Sequence, residues 1–293
     1  YLDKKETSPQ HAFARAAKYV STYRGKTDWD MAQRIYDYAS KTWFGFSSPI
    51  LSNAGTSKGL PISCFLNYVP DSREGLSKHY DENIWLASNG GGIGGYWGAV
   101  RSDGTSTSHG SKSTGSIPFM KVVDSQMLAF NQGTTRRGSY AAYMDVSHPE
   151  IEEFLFMRKS SGGDTNRKCL NLHHGINVTD EFMNAVSKNI DWKLIDPHSK
   201  KVSKSINARE LWRLILETRH ETGEPYLHFI DTSNKHLPEK QKEAGLKVNQ
   251  SNLCSEITLP TSEDRTAVCC LSSVNLAQYD EWSMSSTFIP DMI

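Results

Sequence analysis

The feature that most constrains the fold is a regular alternation of short apolar runs with segments of helical periodicity. The runs 62–69, 140–146 and 172–178 have the length and composition of buried strands. Apolar residues recur at helical spacing in 72–88 and 117–131, which lie between those runs. Strands that alternate with helices form α/β folds, so this pattern predicts an α/β architecture with a substantial sheet.

Composition excludes several classes of protein. The 293 residues include 33 Lys and Arg and 33 Asp and Glu, so the formal net charge is zero. Proteins that bind nucleic acid through its phosphates usually carry a basic excess, so no nucleic-acid partner is expected. Because no apolar run approaches the roughly 18–20 residues of a spanning helix, no membrane association is expected. The chain begins at Tyr1 and shows no signal peptide.

The cysteines indicate a reducing compartment. There are five of them, an odd number at wide spacings, which does not fit a secreted disulfide scaffold. Since no two cysteines are spaced as C-x-x-C, no zinc or other metal site is predicted on this chain. Cytoplasmic localisation follows, and in that setting most cysteines are small buried hydrophobic residues.

One cysteine lies in a polar motif, Asn252-Leu253-Cys254-Ser255-Glu256. In an extended segment the amide, the thiol and the carboxylate would point to one side. A carboxylate beside a thiol disfavours the thiolate, so the motif fits one-electron thiol chemistry with a general base better than nucleophilic attack. From the spacing alone, a polar loop with one buried cysteine remains the alternative.

A glycine cluster and an arginine pair are the other candidate ligand-binding features. Gly90, Gly92 and Gly95 fit part of a dinucleotide-binding fingerprint, but they follow a helix, which is the reverse of the required context. These glycines either let a ligand approach the backbone or form the turn that ends the helix. Arg136 and Arg137 either reach a phosphate or a base, or belong to a solvated surface loop.

Taken together, these motifs resemble the large, catalytic subunit of ribonucleotide reductase. The resemblance runs from about Ser48 to the end of the chain, with its motifs in the same order as in the family. They are Ser63-Cys64 followed by Asp71, Gly91-Gly92-Ile93-Gly94, the loop 132–138, Asn252 to Ile257, and Cys269 with Leu271-Ser272.

The resemblance implies a ten-stranded α/β barrel of the ribonucleotide reductase type, of which this chain holds only the N-terminal portion. Residues 1–47 would form a helical entry segment of the catalytic domain. Residues 48–293 would form a partial barrel that carries the substrate site, the specificity-effector loops and a finger loop.

The resemblance also implies the chemistry. Cys254 on the finger loop would become a thiyl radical and take hydrogen from C3′ of the ribose, with Glu256 as general base on the 3′-hydroxyl and Asn252 bonded to the ribose. Cys64 and Cys269 would supply the reducing equivalents and finish as a disulfide. The reaction would convert ribonucleotides, as diphosphates, to deoxyribonucleotides for DNA synthesis.

The binding sites follow from the same resemblance. The residues matching substrate-contacting positions are Ser48, Ser63, Gly92, Asn252, Cys254 and Glu256. Those matching the site where a deoxynucleotide or ATP effector sets substrate preference are Asp71, Arg101, Gln132 and Arg136.

Leu253 and Ser255 resemble class I, because the cobalamin-dependent class has Pro and Gly at these places. Class I implies a separate small subunit with a metal-centred radical, and no cofactor on this chain. The other implied partners are the C-terminal half of the large subunit, a second large subunit, and thioredoxin or glutaredoxin. A cobalamin-dependent reductase and a non-catalytic nucleotide-binding or assembly module remain the alternatives.

Two cysteines depart from the family pattern. Cys270 adjoins Cys269 where the family usually has a single cysteine, and the spacing to Leu271-Ser272 favours Cys269 as the redox partner. Cys169 matches no motif and is interpreted as structural.

Overall fold

In the computed structural model, the described residues are 1–108, 110–130 and 137–293. They divide into two units. The first comprises residues 1–63 and 268–293, and the second comprises residues 64–267.

The elements are numbered in chain order. The helices are α1 Pro9–Val20, α2 Trp29–Ser40, α3 Ser48–Asn53, α4 Arg73–Ser88, α5 Ile117–Ala129, α6 Ile151–Phe156, α7 Asp180–Lys188, α8 Ala208–Thr222, α9 Ile230–Lys235, α10 Glu239–Glu243, α11 Tyr279–Trp282 and α12 Phe288–Met292. The strands are β1 Thr22–Tyr23, β2 Lys26–Thr27, β3 Phe44–Phe46, β4 Cys64–Tyr68, β5 Gly92–Tyr96, β6 Ser139–Asp145, β7 His173–Val178, β8 Asp191–Ile195, β9 Val202–Asn207, β10 Tyr226–Phe229, β11 Ala267–Cys269 and β12 Ser272–Val274. Short 3-10 helices lie at Thr165–Arg167 and Leu276–Gln278.

The first unit is mainly helical and brings the two ends of its sequence together. The side chain of Asp28 accepts a hydrogen bond from the Met31 N–H and so caps α2. The ring of Phe288 packs edge-on against Tyr38 and Trp43, with centroid distances of 5.1 and 5.5 Å. This aromatic cluster joins α12 to α2.

The second unit is built on a parallel sheet. Five of its strands pair in the order β10-β7-β6-β5-β4, and every pair among these five is parallel. Large side chains of this unit are fully buried, among them Trp97, Tyr140, Tyr143 and Phe154. Crossover helices between successive strands give parallel pairing, so the predicted α/β architecture is confirmed.

Local sequence patterns predicted the bounds of several helices and strands closely. The run 62–69 contains β4, and the segment 72–88 contains α4, whose first turn is capped by the Ser72 hydroxyl accepting from the Gly75 N–H. The segment 117–131 contains α5, with Pro118 in its first turn. Of that segment, Asn131 lies outside the described residues.

The glycine cluster was only partly predicted. Gly90 has a φ of +74° just after α4, as a turn that ends a helix requires. The following residues form β5, so of the two alternatives the turn that ends the helix holds only for the start of the cluster. Poor strand propensity is overridden here because the sheet needs residues without a Cβ at this place.

Within the described residues, no helix combines the length and the apolar character needed to cross a bilayer.

Candidate active site

The segment 249–257, called the finger loop below, lies against the parallel sheet. The buried side chain of Gln250 donates to the backbone carbonyls of Asn67 at 2.9 Å and Gly94 at 3.2 Å, which belong to the neighbouring strands β4 and β5. The Thr261 hydroxyl donates in turn to Oε1 of Gln250 at 2.8 Å. All the strong hydrogen-bonding groups of this carboxamide are therefore engaged in holding the loop on the sheet.

Strand β5 provides the room for this contact. A Cβ atom on Gly94 would lie 2.2 Å from the Ser251 carbonyl oxygen and 2.7 Å from Cα of Asn252. A Cβ on Gly95 would lie 1.7 Å from the Tyr140 hydroxyl. The sequence indicated that these glycines allow close approach of a ligand, but at these two positions the approaching groups are the chain's own loop and a tyrosine.

Asn252 organises the tip of the finger loop. Its Oδ1 accepts from the backbone N–H groups of Glu256 and Ile257, both at 3.1 Å, and its Nδ2 donates to Oε1 of Glu256 at 2.9 Å. The Tyr143 hydroxyl donates to the Asn252 carbonyl at 2.7 Å. The segment is therefore a turn, and the expectation of an extended segment is wrong. The turn brings amide and carboxylate together through direct bonding.

Cys254 lies within this turn, between the two bonded side chains, and is exposed. The next residue, Ser255, has a φ of +68°, in the left-handed region that reverses the chain. An exposed thiol two residues from a carboxylate fits a reaction in which sulfur and a base act on one small molecule.

Tyr226 lies near the thiol of Cys254 and also near Glu224. Burial raises the pKa of Tyr226, and these two neighbours raise it further. Burial opposes ionisation of Glu224, but hydrogen bonds from His173 and His174 outweigh it and hold the pKa of that carboxyl well below its usual range. Glu224 therefore stays ionised beside Tyr226.

Cys64 lies at the amino end of β4 and is buried. Its register partner is Gly92, the first residue of β5. Gly94, over which Asn252 lies, is two residues further along the same strand, about 7 Å at the usual rise. The second unit thus holds Cys64, Gly92 and the finger loop on one pair of strands.

Three predicted residues belong to the first unit. The backbone N–H and the hydroxyl of Ser63 both donate to the Cys269 carbonyl, at 3.2 and 3.4 Å. Ser48 begins α3, and its hydroxyl lies 3.2 Å from that of Tyr1. The neighbouring thiol, Cys270, donates to the Pro61 carbonyl at 3.2 Å, and partial burial raises its pKa.

A cavity of about 420 Å³ is lined by two of the residues matched to the effector site. Nε of Arg101 lies 3.0 and 2.9 Å from the two carboxylate oxygens of Asp71. The lining also includes the cationic side chains of Arg73 and Lys112, several Ser and Thr hydroxyls, and the apolar Leu76 and Phe119. Cations and hydroxyls suit phosphates, and apolar side chains suit a base. Gln132 and Arg136 lie outside the described residues.

Comparisons with known proteins decide the family. The family model for the ribonucleotide reductase barrel domain matches residues 62–289, and that for the all-alpha domain matches residues 1–59. The chain belongs to the ribonucleotide reductase large-subunit family. The predicted family is therefore confirmed, and so is the predicted fold, a portion of the α/β barrel.

Individual relatives show how much of the family's length is present. A relative from Frog virus 3 (isolate Goorha) is 56% identical over 253 residues, covering 86% of this chain and 43% of the relative. The ribonucleoside-diphosphate reductase large subunit of Invertebrate iridescent virus 3 is 42% identical, covering all of this chain and 53% of the relative. The chain thus spans about half the length of these relatives.

A solved structure supports the same assignment. The alpha subunit of class Id ribonucleotide reductase from Actinobacillus ureae is similar with a TM-score of 0.79 and 32% identity. The match covers 98% of this chain and 49% of that one. This relative agrees with the class I prediction.

Sequence reasoning missed the residues that hold the finger loop, namely Gln250, Tyr143 and Thr261. Their only sequence signal is indirect: the adjacent Gly94 and Gly95 in a strand, which mark a close crossing of backbone. Among the described residues, no group of three or more His, Cys, Asp and Glu side chains is placed to hold a metal ion.

Proposed function

We propose that this chain is the part of a class I ribonucleotide reductase catalytic subunit that carries the radical cysteine, and that the enzyme reduces ribonucleoside diphosphates for DNA synthesis. The observation that carries the proposal is the turn at the finger-loop tip. It exposes Cys254 while bonding Asn252 to Glu256, and it is held on the sheet by buried side chains.

The chemistry assigns one task to each group. A thiyl radical at Cys254 takes the hydrogen atom from C3′ and becomes a thiol, while Glu256 takes the 3′-hydroxyl proton. The 2′-hydroxyl then leaves as water. Cys64 and Cys269 together provide two electrons and two protons and become a disulfide, after which the hydrogen returns from Cys254 to C3′. The net change is one oxygen lost as water for one dithiol oxidised.

Two contacts support the choice of thiols. The Cys269 carbonyl accepts from the N–H of Ser63, which directly precedes Cys64 in the chain. Cys270 is the weaker candidate, because its thiol already donates to Pro61 and its pKa is raised. Disulfide chemistry proceeds through the thiolate, so a raised pKa slows it.

The substrate would contact Ser48, Ser63 and Gly92 in addition to the finger loop. Gly92 supports this role because it pairs with Cys64 at the start of two neighbouring strands. Ser63 supports it as the residue next to Cys64, with its backbone N–H already directed to the Cys269 carbonyl.

The cavity at Asp71 and Arg101 would bind a deoxynucleoside triphosphate or ATP as specificity effector, together with Gln132 and Arg136. Its support is chemical. Two arginines and a lysine face the space where phosphates would lie, and Asp71 offers an acceptor for a sugar hydroxyl.

The proposed enzyme has several partners. A small subunit would supply the radical from its metal centre, and the remainder of the large subunit would complete the barrel. A second large subunit would pack on α4 and α5, which contact each other and expose Trp85, Val122 and Leu128. Thioredoxin or glutaredoxin would re-reduce the disulfide, in a reducing cytoplasm.

Two other functions compete. A non-catalytic nucleotide-binding or assembly module would need the cavity but not the turn around Cys254. A cobalamin-dependent reductase would use the same thiols without a small subunit. A need for the thiols would distinguish the proposed enzyme from the binding module. The source of the radical would distinguish it from the cobalamin-dependent reductase.

Reconstituted turnover tests the proposal. This chain would be combined with the portion of the large subunit that its relatives carry beyond it, a class I small subunit and a dithiol. CDP reduction is expected in wild type and in the Cys169→Ala control, and none in Cys254→Ala. Activity that requires adenosylcobalamin and no small subunit would favour the second alternative. Nucleotide binding without turnover under either condition would favour the first.

A further inference from the structure

The turn of the β8–β9 hairpin contains a buried carboxylate with an unusual number of partners. Oδ2 of Asp196 accepts from the N–H of Ser102 at 2.8 Å, from the hydroxyl of Ser102 at 2.7 Å and from the hydroxyl of Thr105 at 3.0 Å. Oδ1 accepts from the N–H groups of Ser199 and His198, at 2.6 and 3.2 Å. One side chain therefore joins the hairpin turn to a loop more than 90 residues earlier.

The loop that Asp196 holds is the wall of the proposed effector cavity. Ser102 directly follows Arg101, whose guanidinium lines that cavity. Beyond Thr105 the loop folds back on itself, because the Ser113 N–H donates to the Thr105 carbonyl at 2.8 Å and the Thr107 N–H donates to the Ser111 carbonyl at 2.8 Å. Fixing Ser102 and Thr105 therefore fixes the base of the loop from which the hydroxyls and Lys112 project.

The same turn also contacts a second residue that lines the cavity, Asp71. Nδ1 of His198 lies 3.1 Å from Oδ2 of Asp71. Asp71 is in turn paired with Arg101. The hairpin turn thus contacts both the acidic residue of the cavity and the chain that follows its arginine.

Burying a carboxylate costs desolvation free energy, and a neutral side chain could hold a hairpin turn without that cost. Asp196 is 4% exposed, and among the described residues no ion pair includes it. Burial opposes its ionisation, but the N–H groups of Ser199 and Ser102 and the Ser102 hydroxyl hold its pKa well below the usual range. A charged acceptor makes hydrogen bonds about twice as strong as a neutral one, so it orders the loop more firmly.

We propose that Asp196 is a positioning residue for effector binding, which sets the conformation of the described loop residues 101–108 and 110–113 and with it the affinity for deoxynucleoside triphosphates. The inference rests on the proposed effector cavity. The ligand is the one proposed above for this cavity. The new claim is that a hairpin outside the cavity sets the conformation of the loop that forms the cavity wall.

Equilibrium binding of dTTP to the full chain tests this. Asp196→Asn keeps the shape of the side chain, but it removes the charge and turns one acceptor into a donor that faces the Ser102 N–H. The dTTP Kd is expected to rise about 10-fold or more, from the loss of charged hydrogen bonds to the loop. The control is Asp191→Asn, an exposed aspartate in the same hairpin, and its Kd is expected to equal that of wild type.

A double-mutant cycle separates positioning from general destabilisation. If Asp196 acts through Ser102, then Ser102→Ala should weaken dTTP binding in the wild-type background and add little to Asp196→Asn. Thermal unfolding of each variant shows whether it is folded. For a variant too unstable for binding, hydrogen exchange of amides 102–108 replaces Kd, and faster exchange than in Asp191→Asn is expected.

The outcomes are distinct. If wild type fails to bind dTTP, the effector cavity itself is wrong, and the inference falls with it. If wild type and Asp196→Asn bind equally, only the inference is overturned. Additive effects of Asp196→Asn and Ser102→Ala on Kd would overturn the claim that Asp196 acts through the loop, as would unchanged exchange of amides 102–108.

Discussion

At the scale of single residues, Asn252 combines a structural role in the turn with a proposed role in substrate binding. Its carboxamide already bonds Glu256 through both its oxygen and its nitrogen. The second hydrogen on Nδ2 would be the donor for a ribose hydroxyl in the proposed enzyme. The motif around Cys254 was predictable from sequence through its resemblance to a family. The contact between amide and carboxylate was not, because the backbone turns where an extended segment was expected.

Asn252→Asp should shift the pH dependence of turnover. The new carboxylate would lie at hydrogen-bond distance from Glu256, and like charges raise each other's pKa. Since the general base must be ionised, the acid limb of the kcat profile should move to higher pH. The control is Asn166→Asp, an exposed site outside the finger loop, which should leave the profile in place. An unshifted acid limb in Asn252→Asp would argue against Glu256 as the base.

Glu150 should make stability fall as pH rises. It is buried and bonded to the N–H and hydroxyl of Ser116, and burial raises its pKa to about 7. Between the unfolded pKa near 4.5 and about 7, the folded protein binds a proton that the unfolded chain has lost. The stability that this proton contributes is therefore lost as pH rises through that window.

The comparison of wild type with Glu150→Gln isolates this effect. From pH 4.5 to 8, the free energy of unfolding of wild type should fall relative to that of the variant, by at most about 3 kcal/mol. Urea unfolding at several pH values measures it. Parallel pH dependences in the two proteins would show that folding does not raise the pKa of Glu150.

At the scale of elements, the glycines of strand β5 and the position of the finger loop depend on each other. Strand propensity argues against a strand of Gly-Ile-Gly-Gly, and the sequence analysis did not predict a strand at these residues. The structure forms a strand because Gly94 and Gly95 must admit Ser251 and Tyr140. Ser251 belongs to a loop about 150 residues later and Tyr140 belongs to β6, so no local window of sequence contains that need.

Gly94→Ala should therefore disturb the site more than the strand. The new methyl group would meet backbone atoms of Ser251 and Asn252 rather than a flexible side chain, so the loop must move. Overpacking of this kind costs about 1–3 kcal/mol, and turnover should fall with the displaced turn. The control is Gly45→Ala in β3, where the methyl group would meet no atom within 4 Å. Equal stability and activity in the two variants would contradict the proposed crossing.

At the scale of the whole molecule, the alternation of apolar and helical segments was enough to predict an α/β fold. It did not predict which distant residues meet. Asp71, Arg101 and Asp196 lie in three separate connections, and only the folded second unit brings Asp71 to Arg101 and Asp196 to the residue that follows Arg101. Cys64 and Cys269 are likewise separated by about two hundred positions, so their partnership came from family resemblance and not from spacing.

In the proposed reaction Cys254 begins a sequence of steps that two other thiols complete. The most direct measurement is the burst of dCDP formed by the pre-reduced, reconstituted enzyme without external reductant, followed by mapping of disulfides. We predict a burst that ends as thiols are consumed, a Cys64–Cys269 disulfide, and no dCDP from Cys254→Ala. A burst of the same size from Cys254→Ala, or a burst that leaves Cys64 and Cys269 reduced, would contradict the proposed reaction.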